Sequence, residues 1–128
     1  MADSRTIRVL IVDDVDHLRF ALSAILELDP ELEVAGEAVD GFDALEKASD
    51  LQPDLILLDL AMPNLDGLQA IPRLLERAPD SRILVLSGFG KSALEEQAME
   101  AGASGYIEKG GDPAAIAEAL KNAHRADR

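Results

Sequence analysis

The chain has no cysteine and no tryptophan, and its aromatics amount to one tyrosine and three phenylalanines in 128 residues. Without thiols, disulfides, thiolate metal sites and cysteine nucleophiles are all excluded, and a reducing compartment is permitted. Basic residues are also short: 12 Lys and Arg stand against 25 Asp and Glu, for a formal net charge of −13. That balance repels phosphate backbones and anionic lipid, so direct contact with nucleic acid or a membrane is disfavoured. Long hydrophobic runs are missing too. The opening MADSRTIRVLIVDD carries an acid at its third position and an apolar run too short for a signal peptide or a membrane span. The expectation is a cytoplasmic protein. What is present is a globular balance, 48% hydrophobic and 29% charged, unlike the apolar-poor composition of a disordered chain. The length suits one domain over 1–128 with its core at about 6–124, and 125–128 reads as a tail or the stump of a linker.

Short β-branched or leucine-rich runs alternate with longer stretches whose apolar residues fall three and four apart. The runs predict strands at Ile7 to Val12, Glu33 to Ala38, Leu55 to Leu58, Arg82 to Leu86 and Gly105 to Glu108. IRVLIV, LILL and RILVL are almost wholly apolar, as parallel strands covered on both faces are. A first helix is expected after Asp14, burying Leu18, Ala21, Leu22, Ile25 and Leu28. Phe42 to Asp50, Leu68 to Arg77 and Ser92 to Ala101 follow, the last of these with a thin stripe of Leu94, Ala98 and Ala101 that suits a moving element. Asp112 then Pro113 opens a fifth helix, an acceptor at the cap followed by the one helical position that favours proline. Pro72 predicts a kink in the third helix or marks its true first turn. Five βα units without an internal repeat give an α/β fold, doubly wound and flavodoxin-like. We expect a five-stranded parallel sheet in order 2-1-3-4-5 with five helices.

In such sheets ligands bind beyond the carboxyl ends of the strands, where the strand order reverses. At those ends stand Asp13 and Asp14, Asp59, Ser87 and Lys109. In order 2-1-3-4-5 the first and third strands are neighbours, so three carboxylates converge. Two negative charges about 5 Å apart repel by roughly 3 kcal/mol at an effective dielectric of 20, so the cluster calls for a cation. Oxygen ligands without Cys or clustered His point to a hard ion, with Mg2+ favoured where few carboxylates share it with a phosphate. Lys109 adds a mobile cation and Ser87 a hydroxyl donor, which together describe a phosphate site. No His, Ser or Cys stands beside a base as a hydrolytic nucleophile, which leaves the carboxylate of Asp59 as the nucleophile on offer.

The chain resembles a response-regulator receiver domain over nearly its whole length, through VLIVDD at 9–14, LILLDLAMPNLDG at 55–67, LVLSG at 84–88 and GYIEK at 105–109. The resemblance implies a regulatory domain rather than an enzyme. It implies that Asp59 accepts a phosphoryl group from the phosphohistidine of a histidine kinase or histidine phosphotransfer protein. Asp13, Asp14, Asp59 and the backbone carbonyl of Ala61 would hold Mg2+. Lys109 would pair with the acceptor and then with the phosphoryl oxygens, Ser87 would move to bond them, and Tyr106 would turn inward behind. The output would be an altered surface around the fourth helix, fifth strand and fifth helix, read by an output domain or a downstream protein, with room for a homodimer.

Plainer readings stand beside these. Asp14 taken alone is a good helix cap, and Tyr106 alone is a packing tyrosine with a wet hydroxyl. His17 reads as a solvated helix residue and His124 as a favourable charge near a helix C-terminus. Asp66 and Gly67 suffice as a turn and helix start. GFGKS at 88–92 imitates a phosphate-binding loop but has Val85 where that motif needs its first glycine. Many receivers follow the lysine with a cis-proline, whereas Gly110 follows Lys109 here, as in receivers that precede helix-turn-helix output domains. Two rivals remain: an aspartate-nucleophile phosphatase, which lacks a second acid two positions beyond Asp59, and a receiver-like interaction module that is never phosphorylated.

Overall fold

The computed structural model describes residues 6–60, 67–87, 92–108 and 112–125. Five strands and five helices alternate strictly: β1 (Ile7–Val12), α1 (Asp16–Glu27), β2 (Leu32–Ala38), α2 (Gly41–Leu51), β3 (Leu55–Asp59), α3 (Gly67–Arg77), β4 (Arg82–Ser87), α4 (Ser92–Ala101), β5 (Gly105–Glu108) and α5 (Pro113–Arg125). The strands form one parallel sheet in the order β2-β1-β3-β4-β5, as expected. Alternate residues of the central strands feed two separate cores. Leu10, Val12, Ile56, Leu58, Ile83 and Val85 face α2, α3 and α4, where Leu45, Ile71, Leu74 and Ala98 meet them. Val9, Ile11, Leu55, Leu57, Leu84 and Leu86 face α1 and α5, against Leu26, Ile116 and Leu120. Burial on both faces is why these strands carry unbroken apolar runs.

The helix ends follow from local chemistry. Asp40 accepts the Asp43 N–H at 2.8 Å and so caps α2, while Asp43 accepts the N–H of Val39, the residue before the cap, at 3.0 Å. Asp112 accepts the Ala114 N–H at 3.0 Å and so opens α5 as its sequence predicts. α2 stops at Gln52, which adopts the left-handed conformation at φ 46°. Pro72 lies inside α3, six residues in, on the exposed face. The reading of it as the first turn is therefore wrong: the helix already begins at Gly67.

The buried stripe of α1 also differs from expectation. Leu18 is 38% and Leu28 83% exposed, while Arg19 and Leu26 are buried and Leu22 packs against the same core. The helix starts at Asp16 behind the cap position Val15, so residues 19, 22 and 26 share the inward face. A charged residue is tolerated on this face because its guanidinium finds acceptors on Asp13, Asp16 and Glu37. Nor is Asp14 a cap, since Val15 holds that position.

Candidate functional site

β1 and β3 run side by side with Val12 opposite Leu58. Asp13 and Asp59 therefore each stand one step further along, at the carboxyl end of the sheet and at the point where strand order reverses. Asp13 leaves the strand but stays anchored, because its N–H donates to the Ala38 carbonyl at 3.1 Å. Its Oδ1 accepts the Val15 N–H at 2.9 Å, which turns the chain out of β1 and into α1. Asp13 and Asp59 are 1% and 3% exposed, whereas Asp14 is open to solvent. One carboxylate oxygen of each lies within 4.8 Å of the others.

At that spacing each pair of carboxylates repels by roughly 3 kcal/mol even at a dielectric near 20. Two buried acids and one exposed acid, with no imidazole or thiolate among them, form a donor set suited to a hard divalent cation. The exposed acid leaves a side from which an ion and a further oxygen ligand can approach. On the observed geometry these residues fit such an ion.

β4 lies on the other side of β3, Asp59 opposite Leu86, and β5 pairs with β4 so that Val85 faces Tyr106 and Ser87 faces Glu108. The backbone of Ser87 thus ends the neighbouring strand, while its side chain lies outside what is described. Ala61, Lys109 and the segment around Phe89 likewise fall outside the described residues, as does the loop of Met62, Pro63 and Asp66. Tyr106 is half-buried and packs against the α2–α4 core. Its hydroxyl is buried and makes no hydrogen bond among the described residues, in contrast to the wet hydroxyl expected of a packing tyrosine. His17 is exposed and His124 sits in the last turn of α5, as their plain readings have it.

The sequence profile of the response regulator receiver domain matches residues 9–121. The chain belongs to the response regulator receiver family. Within it, the chemotaxis protein CheY of Thermotoga maritima is 40% identical over 113 residues, 88% of this chain and 93% of that protein. The transcriptional regulatory protein LiaR of Bacillus subtilis is 39% identical over 121 residues, and there this receiver spans 94% of its own length but only 57% of the relative's. A response regulator protein from Burkholderia pseudomallei, solved with a phosphorylated aspartic acid, calcium ion and citrate, superposes with a TM-score of 0.80 at 32% identity. That match covers 94% of this chain and 70% of that one. Among the described residues no helix is long and apolar enough to cross a membrane.

Two residues matter to the receiver's site in ways that the sequence pattern does not show. Gly67 donates its N–H to the Leu60 carbonyl at 3.2 Å, and a Cβ there would come within 2.6 Å of Leu60 Cα and 2.8 Å of the Asp59 carbonyl oxygen. The other is Arg19, whose guanidinium reaches the Asp13 carbonyl at 2.8 Å. A charged residue on an apolar stripe was its only signal.

Proposed function

We propose that this receiver is a cytoplasmic, Mg2+-dependent phosphoaspartate switch occupying the whole of 1–128, with Asp59 as the acceptor. The observation that carries the reading is the convergence of Asp59 with Asp13 and Asp14 at the carboxyl edge of the sheet. Asp59 ends β3 as a buried carboxylate with its backbone fixed in the ladder to β4. An oxygen of it attacks the phosphorus of a phosphohistidine; the P–O bond forms as the P–N bond breaks, and the imidazole leaves with the electron pair. Asp13, Asp14, Asp59 and the Ala61 carbonyl are the candidate ligands of Mg2+, which when bound offsets the charge of the acids and of the incoming phosphoryl oxygens. That the Burkholderia protein, 32% identical, was solved with a phosphorylated aspartic acid and a calcium ion supports an aspartate acceptor here by likeness.

Phosphorylation adds about 1.5 to 2 negative charges and three acceptor oxygens. Lys109 and Ser87 are the donors that gain a partner, and Tyr106 follows. Its hydroxyl makes no hydrogen bond among the described residues, so an inward or outward swing breaks none there. Moving a population from 1:99 to 99:1 takes about 5.5 kcal/mol of preference, within reach of a few charge-assisted hydrogen bonds and an ion. The moving surface is α4, β5 and α5. Donors are histidine kinases or histidine phosphotransfer proteins, and readers are an output domain or a separate protein, with a homodimer one form of the output.

Incubation with Mg2+ and acetyl phosphate should add one phosphoryl mass to the intact protein, and Asp59→Asn should abolish it. A wild-type chain that stays unmodified would overturn the reading in favour of an interaction module; steady turnover of a small phosphoester would favour the phosphatase.

A further inference from the structure

Arg19 lies in the first turn of α1 with its side chain only 7% exposed. Its guanidinium serves three segments at once. Nη1 donates to the Asp13 carbonyl at 2.8 Å, Nε to a Glu37 carboxylate oxygen at 3.0 Å on β2, and Nη2 to an Asp16 carboxylate oxygen at 2.6 Å. The guanidinium carbon also lies 5.4 Å from the centre of the Phe20 ring, close enough for a cation–π contact. A buried cation is tolerated only where such partners compensate it. Burial works against its charge, and the hydrogen bonds and charges of Asp16 and Glu37 outweigh that, holding its pKa above the ordinary value.

The same bonds leave Asp13 little freedom. Its N–H is taken by Ala38, its carbonyl by Arg19 and its Oδ1 by the Val15 N–H. The peptide joining Asp13 to Asp14 is thereby held at its carbonyl, and it orients both carboxylates. A bare guanidinium behind an acidic cluster would compete with a metal ion, but Asp16 and Glu37 balance its charge and leave the bracing.

We propose that Arg19 is a positioning residue for the divalent-cation site: it locks the Asp13–Asp14 peptide against β2 and α1, so that both acids face Asp59 before an ion arrives. The proposal rests on the metal reading of the site given above. Residues that orient the ligands of an ion are typically worth about 10-fold to 100-fold in affinity. A side chain able to reach only part of the acceptor set should recover part of that.

The test is calorimetric titration of the unphosphorylated protein with Mg2+, alongside amide chemical shifts of Asp14 and Val15. Arg19→Ala should weaken Mg2+ about tenfold or more while remaining folded, and Arg19→Lys should fall between it and wild type. Lys121→Met, which removes another buried cation far from the acids, should lower stability without moving the Mg2+ affinity. If Arg19→Ala does not fold, Arg19→Lys decides alone: an affinity equal to wild type overturns the proposal. Equal affinity in a folded Arg19→Ala does so as well, as does an equal loss in Lys121→Met, which would mark the effect as general loosening. A wild type that binds no Mg2+ instead removes the metal reading itself, and with it this inference.

Discussion

Gly67 shows how one missing side chain sets the geometry of the acceptor. It opens α3 so close to the chain leaving β3 that an added Cβ would meet backbone atoms of Asp59 and Leu60, which cannot swing aside as a side chain would. Gly67→Ala is therefore expected to cost about 2 kcal/mol, the usual range for overfilling a packed site. It should also slow phosphorylation by acetyl phosphate on the order of tenfold to a hundredfold, because small misplacements of a reacting group are costly. Gly105→Ala is the control, since its Cβ would meet only the Leu84 side chain at 2.5 Å. That variant should lose comparable stability in urea denaturation and keep the wild-type phosphorylation rate in its folded fraction.

The helices depend on partners outside themselves for their C-terminal carbonyls. The side-chain amide nitrogen of Gln52 lies 3.2 Å, 3.0 Å and 2.9 Å from the carbonyls of Ala48, Ser49 and Arg77, so one residue serves the ends of both α2 and α3. Arg8 on β1 donates to the Leu51 and Gln52 carbonyls at 2.8 Å and 3.1 Å, and Arg82 on β4 to the Ala123 carbonyl near the end of α5 at 2.6 Å. A cation there also suits the negative end of the helix dipole. Gln52→Ala should lose about 1 to 2 kcal/mol through the amide contacts alone, since glutamine and alanine both carry the Cβ that resists the left-handed backbone. Gln52→Gly keeps that backbone at ease and should lose less. Urea midpoints at constant m-value would establish the order wild type, Gly, Ala; the reverse order of Gly and Ala would refute the backbone part of the argument.

With a net charge of −13 the folded chain repels itself, and among the described residues Lys121 and Arg125 offset this by joining distant segments. Lys121 on α5 lies 2.7 Å from Asp29 and 3.2 Å from Glu118, and Arg125 lies 2.9 Å from Glu31, closing α5 onto the turn between α1 and β2. Lys121 holds Asp29 below the usual carboxylate range by a direct hydrogen bond, and Asp29 holds Lys121 above its ordinary value in return. Because Asp29 is the stronger acid when folded, the unfolded chain binds more protons in acid, so its stabilisation is complete above the unfolded carboxylate pKa and is lost as pH falls through the folded value. Lys121 works in the opposite sense: its share is complete below the unfolded lysine pKa and is lost as pH rises through the higher folded one. Thermal melts across pH should therefore show a shallower acid limb in Lys121→Met than in wild type, while at neutral pH the two curves run parallel. An unchanged acid slope would show that the pair is energetically silent.

The alternation of apolar strand runs with amphipathic stretches was enough to specify the five βα units, their order and the doubly wound sheet, because a strand buried on both faces must be apolar throughout. Asp13, Asp14 and Asp59 were legible for a related reason: a charged residue directly after such a run marks the strand's carboxyl end, and topology brings those ends together. Arg19 was not legible, since a stripe that admits a guanidinium in place of leucine is recognisable only once β2 supplies Glu37 and β1 the Asp13 carbonyl. Gly67 was legible as a helix start, which α3 bears out, but not as a neighbour of Asp59, because that closeness exists only after α3 has packed against β3. Periodicity reports which face of a segment avoids water. Where a polar group may be buried, and where a Cβ has no room, depends on atoms far away along the chain, and these meet only when it folds.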